Sequence, residues 1–178
     1  MKKGITFIAI AAMALAFVAT ADTDAKAWWG WHGMNLKIAG SSFSVTTLPD
    51  GTTNAVPPFT AIQNGIARGK YGKAQLRSQT FAGELAPAAE GECPDGLVLR
   101  GALTISFVLT YSDGSLISGT TTGDSHYCTD FTGTTFATDA AGIITGGARR
   151  FDDATGDWNV DATIEGSRLT GNLLVDLD

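Results

Sequence analysis

Apolar and polar side chains alternate along several stretches of this chain with a period of two residues. The clearest stretch runs from Leu97 to Tyr111. Alternation of this kind is typical of a β-strand that buries one face, and no stretch after residue 27 sustains the 3.6-residue apolar period of a helix. The pattern therefore predicts an all-β protein.

Turn signals divide the rest of the chain into further short strands. Asp113-Gly114 is a hairpin signal. The strands that flank it or follow the same pattern are predicted at Ser41–Leu48, Lys73–Phe81, Leu116–Thr122, Tyr127–Ala137, Ala141–Thr145, Trp158–Ile164 and Leu169–Leu177. Roughly eight short antiparallel strands predict a single small closed up-and-down β-barrel, because closure leaves no exposed strand edge. A β-sandwich is the alternative.

The alternation also predicts which side chains face the barrel interior. These are Leu76, Leu99, Leu103, Ile105, Phe107, Leu109, Tyr111, Trp158, Val160 and Ile164. A barrel of about eight strands can be filled by its own side chains or can hold one small ligand. In the second case Leu103 and Phe107 would line a ligand cavity, and Tyr111 and Trp158 would present their polar tips to the ligand.

The first 27 residues have the layout of a secretory signal peptide. Two lysines precede an apolar run over Ile5–Ala19, and the second of two small-residue cleavage sites ends at Ala27. The run is shorter than the ~20 residues of a spanning helix, so we expect a periplasmic or secreted protein without a transmembrane span after processing; a membrane anchor is the alternative. The predicted division is a signal peptide over 1–27, a tryptophan-rich segment over 28–40 and a β-barrel domain over 41–178.

The cysteine count and the net charge limit which compartment, partners and cofactors the sequence allows. An isolated pair, Cys93 and Cys128, predicts one disulfide in an oxidising compartment; free or metal-binding thiols are the alternative. The chain has 12 Lys and Arg against 18 Asp and Glu, a net charge of −6, which does not suit sequence-independent binding to nucleic acid. We predict no metal and no cofactor, because His32 and His126 are the only histidines and no nucleotide-binding motif is present.

Two clusters stand out in this acidic chain. Four cations, Arg68, Lys70, Lys73 and Arg77, lie close together; they could contact an anionic partner such as lipid head groups or polysaccharide, or form a solvated outer face. Three tryptophans within Trp28–Trp31 begin the expected mature chain. They could plug the barrel, sit at a membrane interface or bind a partner.

The run 144–156 joins a strand end to a double glycine and an Arg-Phe pair; its characteristic residues are Gly146, Gly147, Arg150, Phe151, Ala154 and Gly156. Glycine pairs permit positive φ and close backbone approach, so the run predicts a tight turn between two strands. It resembles the corresponding corner of secreted bacterial proteins similar to the allene oxide cyclase and dirigent barrels, although Ala148-Arg149 replaces their usual Thr-Gly pair. The resemblance implies a largely apolar cavity that guides cyclisation or coupling, and assembly into homo-oligomers.

Three functions are compatible with these observations. The first is binding of a small apolar ligand without catalysis, and the second is a structural or interaction role with a filled barrel, through the tryptophans or the basic face. The third is a cyclase- or dirigent-like enzyme with Tyr111 or Arg150 as polar guides and no identified catalytic residue. Arg150 could hold an anionic ligand at the barrel mouth, or pair with a carboxylate while Phe151 plugs the barrel end.

Overall fold

The computed structural model describes residues 33–45 and 57–178. The predicted signal peptide and the tryptophans of Trp28–Trp31 lie outside the described residues. The division of the chain into signal peptide, tryptophan-rich segment and barrel therefore stays a prediction. Within the part that is described, no helix is long and apolar enough to cross a membrane.

Within residues 33–45 and 57–178, nine antiparallel strands form one closed sheet. They are β1 Met34–Ser44, β2 Phe59–Gly69, β3 Gly72–Pro87, β4 Leu99–Tyr111, β5 Leu116–Thr121, β6 His126–Thr129, β7 Thr135–Ala148, β8 Gly156–Glu165 and β9 Arg168–Leu177. β5 and β6 both pair with β4 and β7, so they share one position end to end. β1 pairs with β9, and this pairing closes the barrel. The predicted eight-stranded antiparallel barrel is confirmed, and the sandwich alternative is wrong.

Several strand bounds differ from the sequence-based prediction. β2 was not predicted, because its inward residues Ala61, Gln63 and Ala67 are small or polar and give no apolar alternation. The first strand is Met34–Ser44 rather than Ser41–Leu48. The strand predicted at Tyr127–Ala137 is interrupted by a turn over 130–134, and the one predicted at Ala141–Thr145 is part of β7.

The inward faces of the strands build one hydrophobic core. Leu36, Leu109 and Ile117 are fully buried, and all of the predicted inward set except Leu99 belongs to this core or packs against it. At one end of the barrel the rings of Tyr111 and Phe151 lie 5.3 Å apart, and the Tyr111 hydroxyl approaches the Met34 sulfur. We call this the closed end and the opposite one the open end.

The corner between β7 and β8 forms the closed end. β7 ends at Ala148, a single 3-10 turn covers Arg149–Phe151, and β8 begins at Gly156. The turn buries Phe151 against the core. A Cβ on Gly147 would collide with the Phe151 carbonyl oxygen, so this close approach requires glycine.

The predicted disulfide joins Cys93 to Cys128, with the two Cα atoms 5.8 Å apart. It ties the long connection between β3 and β4 to the four-residue strand β6. A disulfide is consistent with an oxidising location outside the cytoplasm.

Candidate functional site

Two adjoining cavities lie inside the barrel. The outer cavity, of about 150 Å³, reaches the open end, and the inner cavity, of about 50 Å³, lies deeper among the core side chains. Both are lined by Gln63, Thr138 and Ile164. The lumen is therefore filled at the closed end and hollow toward the open end.

Aromatic side chains shape the inner cavity. The rings of Phe107 and Trp158 meet edge to face, with centroids 5.1 Å apart. The Trp158 indole N–H donates to the carbonyls of Thr120 and Ile143, at 3.2 and 3.1 Å. Its polar tip therefore bonds the barrel wall and does not point to a ligand as the sequence predicted, while the side chain as a whole lines the inner cavity. A Cβ on Gly119 would come within 2.7 Å of the Phe107 ring and 2.9 Å of the Trp158 nitrogen, so glycine makes room for both rings.

A cluster of uncharged polar side chains interrupts the apolar wall. Gln63 is 5% exposed, and its Oε1 accepts hydrogen bonds from the hydroxyls of Ser78 at 2.8 Å and Thr80 at 3.0 Å. Its Nε2 donates to Ser42 Oγ at 3.4 Å. An amide nitrogen carries two hydrogens, so one N–H of Gln63 is left without a hydrogen bond among the described residues. The carbonyl oxygen is fully used, and the cluster offers the lumen a hydrogen-bond donor.

Tyr127 lines the outer cavity next to the disulfide. Its ring lies over Gly101, where a Cβ would leave no space, and its hydroxyl donates to the Gly83 carbonyl at 2.6 Å. Burial raises the pKa of Tyr127 to about 12. The phenol is therefore neutral at ordinary pH and spans from β6 to β3.

We expect alkaline pH to destabilise the barrel through Tyr127. The tyrosine pKa is about 10 in an unfolded chain and about 12 here, because the folded state favours the neutral phenol. The stability that this preference contributes is complete below pH 10 and is lost as the pH rises toward 12. The loss amounts to no more than roughly 3 kcal/mol, because solvent screens part of the effect. Urea unfolding followed by circular dichroism at increasing pH measures it. Tyr127→Phe should flatten the alkaline decline, and an unchanged decline in that variant would contradict the assignment.

The lumen carries no charge in the part of the chain that is described. Among the residues lining the two cavities, Tyr127 is the only one with a titratable side chain. A charged group without a partner is costly to bury in such surroundings. An uncharged molecule would therefore fit these surroundings better than an ion.

The sequence-predicted site residues fall into two groups. Leu103 lines the outer cavity, and Phe107 and Trp158 line the inner one. Tyr111 and Arg150 lie at the closed end and line neither cavity. The structure brings these two together: the Arg150 guanidinium stacks 4.3 Å from the Tyr111 ring centroid.

Arg150 also pairs with a carboxylate. Its Nε lies 3.4 Å from Asp113 Oδ2. The pKa of Asp113 is lowered, first by the hydrogen bond from the Ser115 backbone N–H and also by Arg150. Burial raises the pKa of Tyr111. These contacts correspond to the second role that the sequence allows for Arg150, in which it pairs with a carboxylate while Phe151 occupies the barrel end.

Sequence reasoning missed Gln63 and its partner Ser42. Ser78 and Thr80 follow Leu76 at intervals of two residues, so the alternation puts them on the same strand face, but two hydroxyls on that face do not by themselves predict a site. Polar side chains at inward positions of a strand were the available signal.

Comparison of the chain with protein-family models and with curated proteins found no match in either.

Proposed function

We propose that this protein binds a small, uncharged and largely apolar molecule in the lumen of its barrel and does not transform it. The observation that carries the proposal is the hollow, apolar half of the lumen with one polar cluster around Gln63. Sites for small molecules are typically apolar concavities with a few polar groups that fix orientation. The same disulfide-bonded barrel supports a periplasmic or secreted location.

The size and polarity of the lumen narrow the ligand class. An apolar cavity of about 150 Å³ accepts a molecule of the size of benzene, which matches the outer cavity. The remaining N–H of Gln63 favours a ligand with one oxygen acceptor. We therefore infer a compact ring or branched hydrocarbon that carries a single carbonyl, ether or hydroxyl group.

A cyclase- or dirigent-like activity is the weaker candidate. It is supported by the resemblance of the corner at 144–156 and by the barrel architecture, and fold alone does not assign a function. The polar guides that it would use, Tyr111 and Arg150, lie at the closed end rather than against the cavities. A non-catalytic binding role needs only groups that the lumen contains.

Native mass spectrometry of the protein exported from its own host tests the proposal. We expect extra mass that disappears on denaturation. Ala61→Phe fills the outer cavity and should abolish this mass. Gln63→Leu should weaken binding roughly fivefold, because it removes one hydrogen bond of about 1 kcal/mol.

Gln75→Leu is the matched control, because Gln75 lies on the exposed face of β3. It should bind like the wild type. Circular dichroism confirms that each variant folds. A bare wild-type mass, or full binding by folded Ala61→Phe, would contradict the proposal.

A further inference from the structure

Exposed apolar side chains gather on the outer face of β1, β2 and β3. Phe43 is 54% exposed and Phe81 51%. Phe43 pairs directly with Ile62, and Phe81 lies one row further, opposite Thr60. The Val45 N–H bonds the Thr60 carbonyl in that same row. Phe43, Val45, Ile62 and Phe81 therefore form one contiguous surface, which we call the apolar patch; contiguous patches mark interaction sites.

The apolar patch borders the open end of the lumen. Ser42 and Ser44 line the outer cavity, while Phe43 alternates with them on β1 and points outward. Side chains of successive residues in a strand point to opposite faces. The wall that separates the cavity from the patch is therefore one strand thick.

Four cations lie on the same outer face, further from the open end than the apolar patch. Lys37, Arg68 and Lys73 lie directly opposite one another across the three strands, and Arg77 lies between that row and the patch. All four are exposed. Like charges placed directly opposite in a sheet are destabilising, so the row does not serve the fold. We call these four residues the basic row.

The other side of the barrel has the opposite charge. Asp139 faces Asp161 across β7 and β8, and Asp157 faces Asp176 across β8 and β9. In β1, β2 and β3, by contrast, Glu84 is the only acidic residue. An anionic surface would therefore attract one face of the barrel and repel the other, although the whole chain carries a net charge of −6.

We propose that the apolar patch and the basic row together dock this protein on a lipid bilayer that contains anionic lipids. Exposed aromatic side chains beside cations suit the membrane interface, because the rings enter the head-group region while the cations meet lipid phosphates. An anionic polysaccharide would bind the cations but would leave the two half-exposed phenylalanines in water. Charge complementarity and the aromatic patch thus select the bilayer over a soluble polyanion.

Co-sedimentation with vesicles tests this surface independently of any ligand in the lumen. The processed chain should bind vesicles of phosphatidylglycerol mixed with phosphatidylcholine, should bind pure phosphatidylcholine weakly, and should be released by salt. The double variant Phe43→Ser/Phe81→Ser should lose roughly tenfold or more in affinity. Lys73→Gln/Arg77→Gln should lose on the order of tenfold for the mixed vesicles only.

The matched control is Ile143→Ser/Leu174→Ser, which removes apolar side chains that are 44% and 41% exposed on the acidic side of the barrel. It should bind like the wild type. All variants keep Trp28–Trp31, so undiminished binding in both test variants would assign the affinity to those tryptophans and overturn the proposal. Equal binding to both vesicle types would also overturn it.

Light scattering on the same samples identifies a competing occupant. If the wild type is an oligomer that Phe43→Ser/Phe81→Ser converts to a monomer, and neither binds vesicles, the face is an interface between copies of this chain. That result would overturn the bilayer proposal. The bilayer proposal is supported if the wild type and both test variants have the same mass and the wild type binds the mixed vesicles.

Discussion

Replacing Trp158 by alanine is expected to lower the free energy of unfolding by about 3–5 kcal/mol. The indole is 3% exposed and packs edge to face on Phe107. Its N–H also bonds carbonyls on two neighbouring strands, those of Thr120 and Ile143. The alanine variant loses the packing and leaves a void beside the inner cavity. Urea unfolding followed by far-ultraviolet circular dichroism measures the loss.

Trp158→Phe separates packing from hydrogen bonding. The phenyl ring keeps most of the contact with Phe107, but it has no donor for the two carbonyls. We expect a smaller cost, of about 1–3 kcal/mol. A Trp158→Ala variant as stable as Trp158→Phe would show that the ring contributes nothing beyond its N–H, contrary to the packing described above.

Removing the disulfide is expected to cost roughly 3–4 kcal/mol. The bridge closes a loop with a sequence separation of 35, and in the chain-entropy model a loop of that length restricts the unfolded chain by this amount. Cys93→Ala/Cys128→Ala should therefore unfold at a clearly lower urea concentration. Reductant should bring the wild type to the same midpoint and leave the double variant unchanged. A wild-type midpoint that does not respond to complete reduction would contradict the expectation.

The strands that were predicted well are those with large apolar side chains on one face. β4 places Leu103, Phe107 and Leu109 inward, and its alternation is visible in the sequence alone. β2 could not be recognised in the same way, because Gln63 occupies an inward position where a large apolar residue would have produced the alternation that predicts a strand. The site residue and the strand that carries it were therefore missed together.

Alternation also has a physical limit as a guide to the site. A period of two tells which face of a strand points inward, but the height of a side chain along the barrel axis depends on the register between strands. Tyr111 and Leu103 share the inward face of β4, yet Leu103 lines the outer cavity and Tyr111 packs on Phe151 at the other end. The alternation in β4 places these two side chains near opposite ends of the barrel, but it does not tell which end is hollow, because that depends on the side chains that the other strands bring to the same height.

The pairing of β1 with β9 determines when this barrel can be completed. Met34 in the first strand pairs with Val175 in the last, so a chain that is still being synthesised or translocated has an open sheet with two unpaired edges. Contacts between distant parts of a chain form slowly, because a long loop must close before they contribute. A C-terminal truncation that removes β9 therefore leaves both edges available for pairing with other chains. The last ten or so residues consequently decide between a closed barrel and aggregation during biogenesis.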